Sequence, residues 1–160
     1  MTAYWTILST PIGGLHIAAS DQAITRIWFE NEAVEKQGQF QSNDVLREAC
    51  GQLREYFEGK RGRFDLPLQA EGTEFQQAVW KALLHIGYGH TRTYGQLAVD
   101  VKRPVSAARG VGQACGHNPL PIIVPCHRAV GKNGSLTGFG GGIWRKEWLL
   151  AHEQAHVPEK

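Results

Sequence analysis

The spacing of apolar and polar positions changes character twice along the chain. Residues 4–8, 15–19 and 24–29 are short alternating runs, separated by Thr10–Pro11–Ile12–Gly13–Gly14 and by Asp21–Gln22. Alternation with period two, bounded by Gly, Pro and Asp, predicts three β-strands joined by tight turns. Residues 30–42 are polar and predict a loop. From Asp44 the period becomes helical. Leu46, Ala49, Cys50, Leu53 and Phe57 fall on one face, Ser42 or Asn43 suits the N-cap, and Gly59 suits the stop. A strand-rich segment followed by one helix predicts a small α/β (α+β) unit.

Residues 60–72 read as a connector, so we place a boundary there and expect one domain over 1–69 and another over 70–156. The second begins with a capping box at Thr73 and Gln76 and a helix with Phe75, Val79, Trp80, Leu83 and Ile86 as apolar positions. A second box, Thr93 and Gln96, opens a short helix. After Pro104 comes a helix rich in small residues, including Ala107, Ala108, Gly110 and Gly112, with Arg109 and Gln113 as polar positions. A last helix carries Trp144, Trp148, Leu149 and Leu150. Two short helices around 100–104 resemble a helix-turn-helix, whose second member can approach a DNA surface closely because its side chains are small. The same pattern also fits a tightly packed helix pair with no ligand.

Composition narrows the class. The 160 residues, 42% hydrophobic and 20% charged, suit one compact domain or two small ones. No apolar run approaches the ~20 residues of a membrane span, and the first residues lack the charged-then-apolar pattern of a secretory signal. Three cysteines are few and odd in number, which predicts free thiols in a reducing, cytoplasmic setting. The net charge of +2 is uneven: residues 1–69 hold 7 basic and 9 acidic residues, residues 70–156 hold 9 and 5. The second half, at +4, is the better candidate to face a polyanion.

The densest chemistry lies at Pro125–Cys126–His127–Arg128, where an apolar run ends in a thiol, an imidazole and a guanidinium. A buried inert cysteine explains Cys50, on an apolar helix face, better than Cys126. A zinc site from Cys115, His117, Cys126 and His127 has suitable residue types but needs two adjacent residues to turn to one ion. A cysteine hydrolase needs an oriented base and an oxyanion hole. Alkyl transfer to sulfur needs only an oriented thiolate, a proton relay and an acid for the leaving group. Its thioether product is not hydrolysed by water, so each molecule reacts once.

Residues 73–153 resemble the C-terminal domain of the O6-alkylguanine-DNA alkyltransferases, the methylated-DNA–protein-cysteine methyltransferases. The resemblance is carried by Phe75–Gln76–Gln77–Ala78–Val79–Trp80, Thr93–Tyr94–Gly95–Gln96–Leu97–Ala98, Ala107–Ala108–Arg109–Gly110–Val111–Gly112, Asn118–Pro119, Pro125–Cys126–His127–Arg128 and Lys146–Glu147–Trp148–Leu149–Leu150–Ala151–His152–Glu153. It implies an RNase H-like N-terminal domain and a winged-helix-like C-terminal domain. It also implies irreversible, single-turnover transfer of methyl or other alkyl groups from guanine O6 in double-stranded DNA, without a cofactor. Inactive relatives replace the nucleophile, whereas Cys126 is present here.

The resemblance also implies roles. Cys126 is the alkyl acceptor, and His127 takes its proton through a water. Glu153 holds the imidazole, Asn118 braces the cysteine turn, and Tyr94 gives a proton to departing guanine. The recognition helix enters the minor groove, Arg109 fills the gap left by the extruded nucleotide, and Tyr94, Ala107, Ala108, Gly112, Gln113 and Arg128 contact DNA. Pro121, Ala129, Phe139, Gly140 and Gly141 form the guanine pocket, with the carbonyls of Cys126 and Ala129 and the amide of Gly140 reading the base. Phe139 stands where many members carry tyrosine, and Gly140 where serine or alanine is common. Three successive glycines predict a roomier, more mobile loop that tolerates adducts larger than methyl. No cysteine precedes Cys50, so no structural metal is expected. The chain is expected to act as a monomer, away from membranes.

Overall fold

A computed structural model describes residues 3–36 and 38–156. Of these, 3–70 and 152–156 form one compact unit and 71–151 the other. The fold is mixed α/β, with a sheet in the first unit and mostly helices in the second.

In the first unit β1 (Tyr4–Thr10), β2 (Gly13–Ala19) and β3 (Ile24–Phe29) form an antiparallel meander. The β1–β2 turn closes because Thr10 Oγ1 donates to the Gly13 carbonyl at 2.6 Å and accepts the Ile12 amide at 3.1 Å. Residues 30–42 are not all loop: β4 (Gln39–Phe40) pairs parallel to β1, giving the order β3-β2-β1-β4. Two residues of pairing leave no periodicity to detect. Helix α1 (Asp44–Phe57) packs on the sheet; Leu46, Ala49, Leu53 and Tyr56 of the helix and Leu8, Leu15 and Ile17 of the strands are buried. Each large aliphatic side chain so buried contributes about 1.5–3 kcal/mol.

Local chemistry fixes the ends of α1. Asn43, not Ser42, caps its start by accepting the Leu46 amide at 2.9 Å. The stop is a Schellman turn, with Gly59 N–H on the Tyr56 carbonyl and Lys60 N–H on the Glu55 carbonyl. Gly59 has φ +77°, and a Cβ there would lie 2.4 Å from the His156 ring, so both conformation and space demand glycine. The predicted connector is partly docked. The Ile24 amide donates to the Pro67 carbonyl and the Gln69 amide to the Ile24 carbonyl, extending the sheet edge beside β3, and the Gln52 amide holds Asp65 through both its backbone groups.

In the second unit α2 (Glu74–Leu83) and α3 (Tyr94–Asp100) each begin with the capping box their sequences predict, complete in both directions. Strand β5 (Arg92–Thr93) pairs parallel with β6 (Ala129–Val130). Helix α4 (Ala108–Gly116) follows a 3-10 turn, Val105–Ala107, and packs on both α2 and α3. The Trp80 indole donates to the Ala114 carbonyl at 2.9 Å in the interior, tying α2 to the last turn of α4. Helix α5 (Ile143–Ala155) closes the chain. It departs from its predicted apolar face at Trp144, which is exposed like Ile143 before it, while Arg145 and Lys146 are buried. The Arg145 guanidinium covers the Trp144 ring at 4.4 Å. Among the described residues no helix is long and apolar enough to cross a membrane.

Candidate active site and DNA-facing helix

The segment leading to Cys126 is held in an unusual shape. Ile122 has φ +75°, a conformation costly for a β-branched side chain, yet it is fully buried. Asn118 spans this segment: its Nδ2 donates to the Val124 carbonyl and its Oδ1 accepts the Leu120 amide, both at 2.9 Å. The Val124 amide returns to the Leu120 carbonyl at 2.9 Å. The chain then enters a 3-10 turn, Cys126–Arg128, with every residue from Leu120 to Gly131 buried. The Cys126 side chain is therefore interior, 7% exposed, and His127 is wholly buried beside it in sequence. The Cys126 carbonyl, predicted to read the base, already accepts the Ala129 amide.

Arg128 requires a correction. It is 5% exposed and its Nη1 donates to the Ile86 carbonyl at 2.7 Å, with the guanidinium against Tyr88. A guanidinium so enclosed does not meet a phosphate at the surface, so Arg128 is a scaffold residue and not a DNA contact. Its place in an otherwise informative motif suggested chemistry where it serves packing.

The expected DNA-facing residues do converge. Tyr94, Ala108, Arg109, Gly112 and Gln113 line a cavity of about 480 Å³, closed on another side by Thr137. Arg109 and Gln113 are exposed on α4, and Ala107 is part-exposed at its start. The Tyr94 hydroxyl pairs with Thr137 Oγ1 at 2.9 Å and accepts from Lys146 Nζ at 3.3 Å. Pro121, Ala129, Phe139, Gly140 and Gly141 do not line this cavity. Pro121 and Ala129 are interior, and Gly140 is exposed. The glycine run is tied down: Gly142, at φ +95°, donates to the Phe139 carbonyl at 2.8 Å, and Arg145 Nη1 binds the Gly141 carbonyl at 2.7 Å. The looser loop expected from three glycines meets these two restraints.

Lys146 is the residue the sequence reading passed over. It is fully buried, and its ammonium also lies 5.7 Å from the centre of the Tyr94 ring. Helical spacing holds the signal: 146, 149, 150 and 153 share one face, and Leu149 is core. Cys115 lies close enough to sense the same charges. Burial, followed by the neighbouring Cys126 sulfur, pushes its thiol up to about 12, and Lys146 opposes them. The zinc arrangement does not assemble. His117 is exposed with Nδ1 on the Gln113 carbonyl, and among the described residues no three His, Cys, Asp or Glu side chains gather as metal ligands would.

Glu153 counts with the first unit. It is 3% exposed and its Oε2 accepts the Tyr56 hydroxyl at 2.6 Å. Next to it, His152 Nε2 meets the Tyr56 carbonyl at 2.7 Å.

Comparison with known proteins agrees with this layout. The model of the 6-O-methylguanine DNA methyltransferase DNA-binding domain matches residues 74–155, and that of the ribonuclease-like domain of the same enzymes matches residues 3–70. The chain is 44% identical to the methylated-DNA–protein-cysteine methyltransferase of Mycolicibacterium paratuberculosis, over 99% of this chain and 96% of the relative. It is 43% identical to the constitutive enzyme of Bacillus subtilis, over 98% of this chain and 99% of that one. Among solved structures, Mycobacterium tuberculosis OGT in complex with DNA superposes with a TM-score of 0.90 at 43% identity, covering 98% of this chain and 96% of that one. With both domain models in order and relatives matched end to end, the chain belongs to the 6-O-methylguanine DNA methyltransferase family.

Proposed function

We propose that this protein repairs DNA by moving an alkyl group from O6 of guanine to the sulfur of Cys126, once per molecule. The carrying observation is a buried thiol at the end of a braced turn, Cys126 in Pro125–Cys126–His127–Arg128, within a chain whose relatives match it end to end. A free thiol is mostly protonated at neutral pH, and the thiolate is the nucleophile. His127 takes the proton through a water, and Glu153 stabilises the resulting imidazolium. The thiolate attacks the sp³ carbon on O6. The S–C bond forms as the C–O bond breaks, and Tyr94 supplies a proton to the departing guanine. No tetrahedral intermediate arises, so no oxyanion hole is required. The buried setting of the acceptor excludes bulk water from the reacting atoms.

DNA is the partner. Helix α4 lies in the minor groove, where its small residues permit close approach, and exposed Arg109 occupies the space of the extruded nucleotide. The protein acts as a monomer in this reading, and the pocket around Phe139 and Gly140 accepts adducts larger than methyl. The test is a single-turnover mass measurement on duplex DNA carrying O6-methylguanine. One methyl group should appear on the Cys126 peptide and none on Cys126→Ala. Continued release of a hydrolysed product would mean a cysteine hydrolase, and retention on DNA without mass gain would mean a non-catalytic binder. Comparing methyl and benzyl adducts in the wild type and in Gly140→Ser tests the pocket: an unchanged ratio of rates removes the adduct-size reading.

A further inference from the structure

We infer that Tyr56, in the first unit, is a positioning residue for the alkyl transfer, acting through Glu153. This rests on the reading of Glu153 as the carboxylate that supports the imidazole. A buried carboxylate requires hydrogen-bond donors, because desolvating an anion without them is very unfavourable. Tyr56, fully buried on α1, supplies one at 2.6 Å from a position 97 residues away in sequence. A phenol O–H on a carboxylate is a short, charge-assisted bond that favours the ionised form. It also fixes one carboxylate oxygen, which leaves the other with a defined direction.

Tyr56 is itself held on several sides. Its ring packs edge-on against Phe57 at 5.3 Å and tilted against Phe64 at 5.7 Å, and its carbonyl takes His152 Nε2 at 2.7 Å. The Schellman stop at Gly59 begins on that same carbonyl. The backbone of Tyr56 is thus fixed at the end of α1, and its fully buried ring is enclosed by Phe57, Phe64 and His152. His152, whose ring lies 5.3 Å from that of Tyr56, and His156, tilted against His152 at 4.4 Å, are titratable neighbours of the pair.

Tyr56→Phe removes one oxygen and keeps the ring contacts. In single-turnover assays at saturating methylated DNA the rate constant should fall about fivefold, the equivalent of one lost hydrogen bond. DNA affinity should not change. Because the carboxylate loses a donor, its proton affinity rises, and the acid limb of the rate–pH profile should move up by roughly one pH unit. The profile is compared with that of His152→Gln, which should not show this shift. In a Glu153→Gln background Tyr56→Phe should add no further loss. A rate and acid limb equal to wild type overturn the inference, as does an equal loss in the Glu153→Gln background. Independently of any variant's folding, the wild-type proton spectrum should contain a slowly exchanging Tyr56 hydroxyl proton shifted downfield, and its absence overturns the contact. If wild-type protein gains no methyl, the reading of the reaction fails. If it gains methyl and Tyr56→Phe matches it, only the role of Tyr56 fails.

Discussion

The two units bury different kinds of side chain. The first unit buries mainly aliphatic and aromatic residues, with Ser20, Gln52 and His152 as polar exceptions; its interior carboxylate, Glu153, arrives with His152 on the last turn of α5. The second unit buries His127, Arg128, Arg145 and Lys146. Interior cations cost several kcal/mol each before partners compensate, so a domain of this size keeps them only where they act. Arg128 and Arg145 pin backbone carbonyls of Ile86 and Gly141, and Lys146 reaches the hydroxyl of Tyr94. The first unit is built for stability, whereas the second holds its loops with charge and gathers reactive groups.

Asn118→Ala breaks this contrast most strongly. It removes two hydrogen bonds from the segment that keeps Ile122 at positive φ, and should lower unfolding free energy by about 2 kcal/mol. Urea denaturation reads the loss, and methyl uptake should slow with it. A stable variant with normal kinetics would show that the turn holds itself.

Lys146→Met sharpens the contrast. Replacing a buried cation by an apolar chain of similar length should leave stability within about 1 kcal/mol of wild type, or raise it. Single-turnover methyl transfer should drop about tenfold, or about 1.4 kcal/mol in the barrier, because the Tyr94 hydroxyl loses its ammonium neighbour. A large fall in stability with unchanged kinetics would make Lys146 structural.

The smallest effect belongs to the first unit. Burial holds the His152 imidazole below its ordinary 6.5, against the raising effect of the Tyr56 carbonyl. The unfolded chain therefore binds a proton more readily than the folded one. Stability from this group is full above pH 6.5 and is lost as pH falls from there through the lower folded value. Denaturation midpoints between pH 7.5 and 5 should show that decline, and His152→Gln should flatten it.

Much of the molecule was legible in the chain. Strands β1 to β3, helix α1 and both capping boxes follow from local period and cap chemistry, which act over a few residues. The Cys126 segment and the residues of α4 stood out in the sequence because their motifs are compact. Strand β4 was not, since two paired residues carry no period. Trp144 was misjudged because hydrophobicity alone ignores that Arg145 can cover an exposed indole while its guanidinium bonds inward. Arg128 looked like a DNA contact because charge in a motif does not say which way a side chain points.

The sequence by itself determined where the chain turns from sheet to helix, which thiol is set apart, and which family pattern it carries, since these reside in short-range spacing. Tertiary structure alone decided that Lys146 meets Tyr94, that Asn118 straps a left-handed isoleucine, and that Tyr56 faces Glu153 from 97 residues away. Such pairings depend on how distant segments pack, and a buried charge finds its partner only once water has been excluded around it.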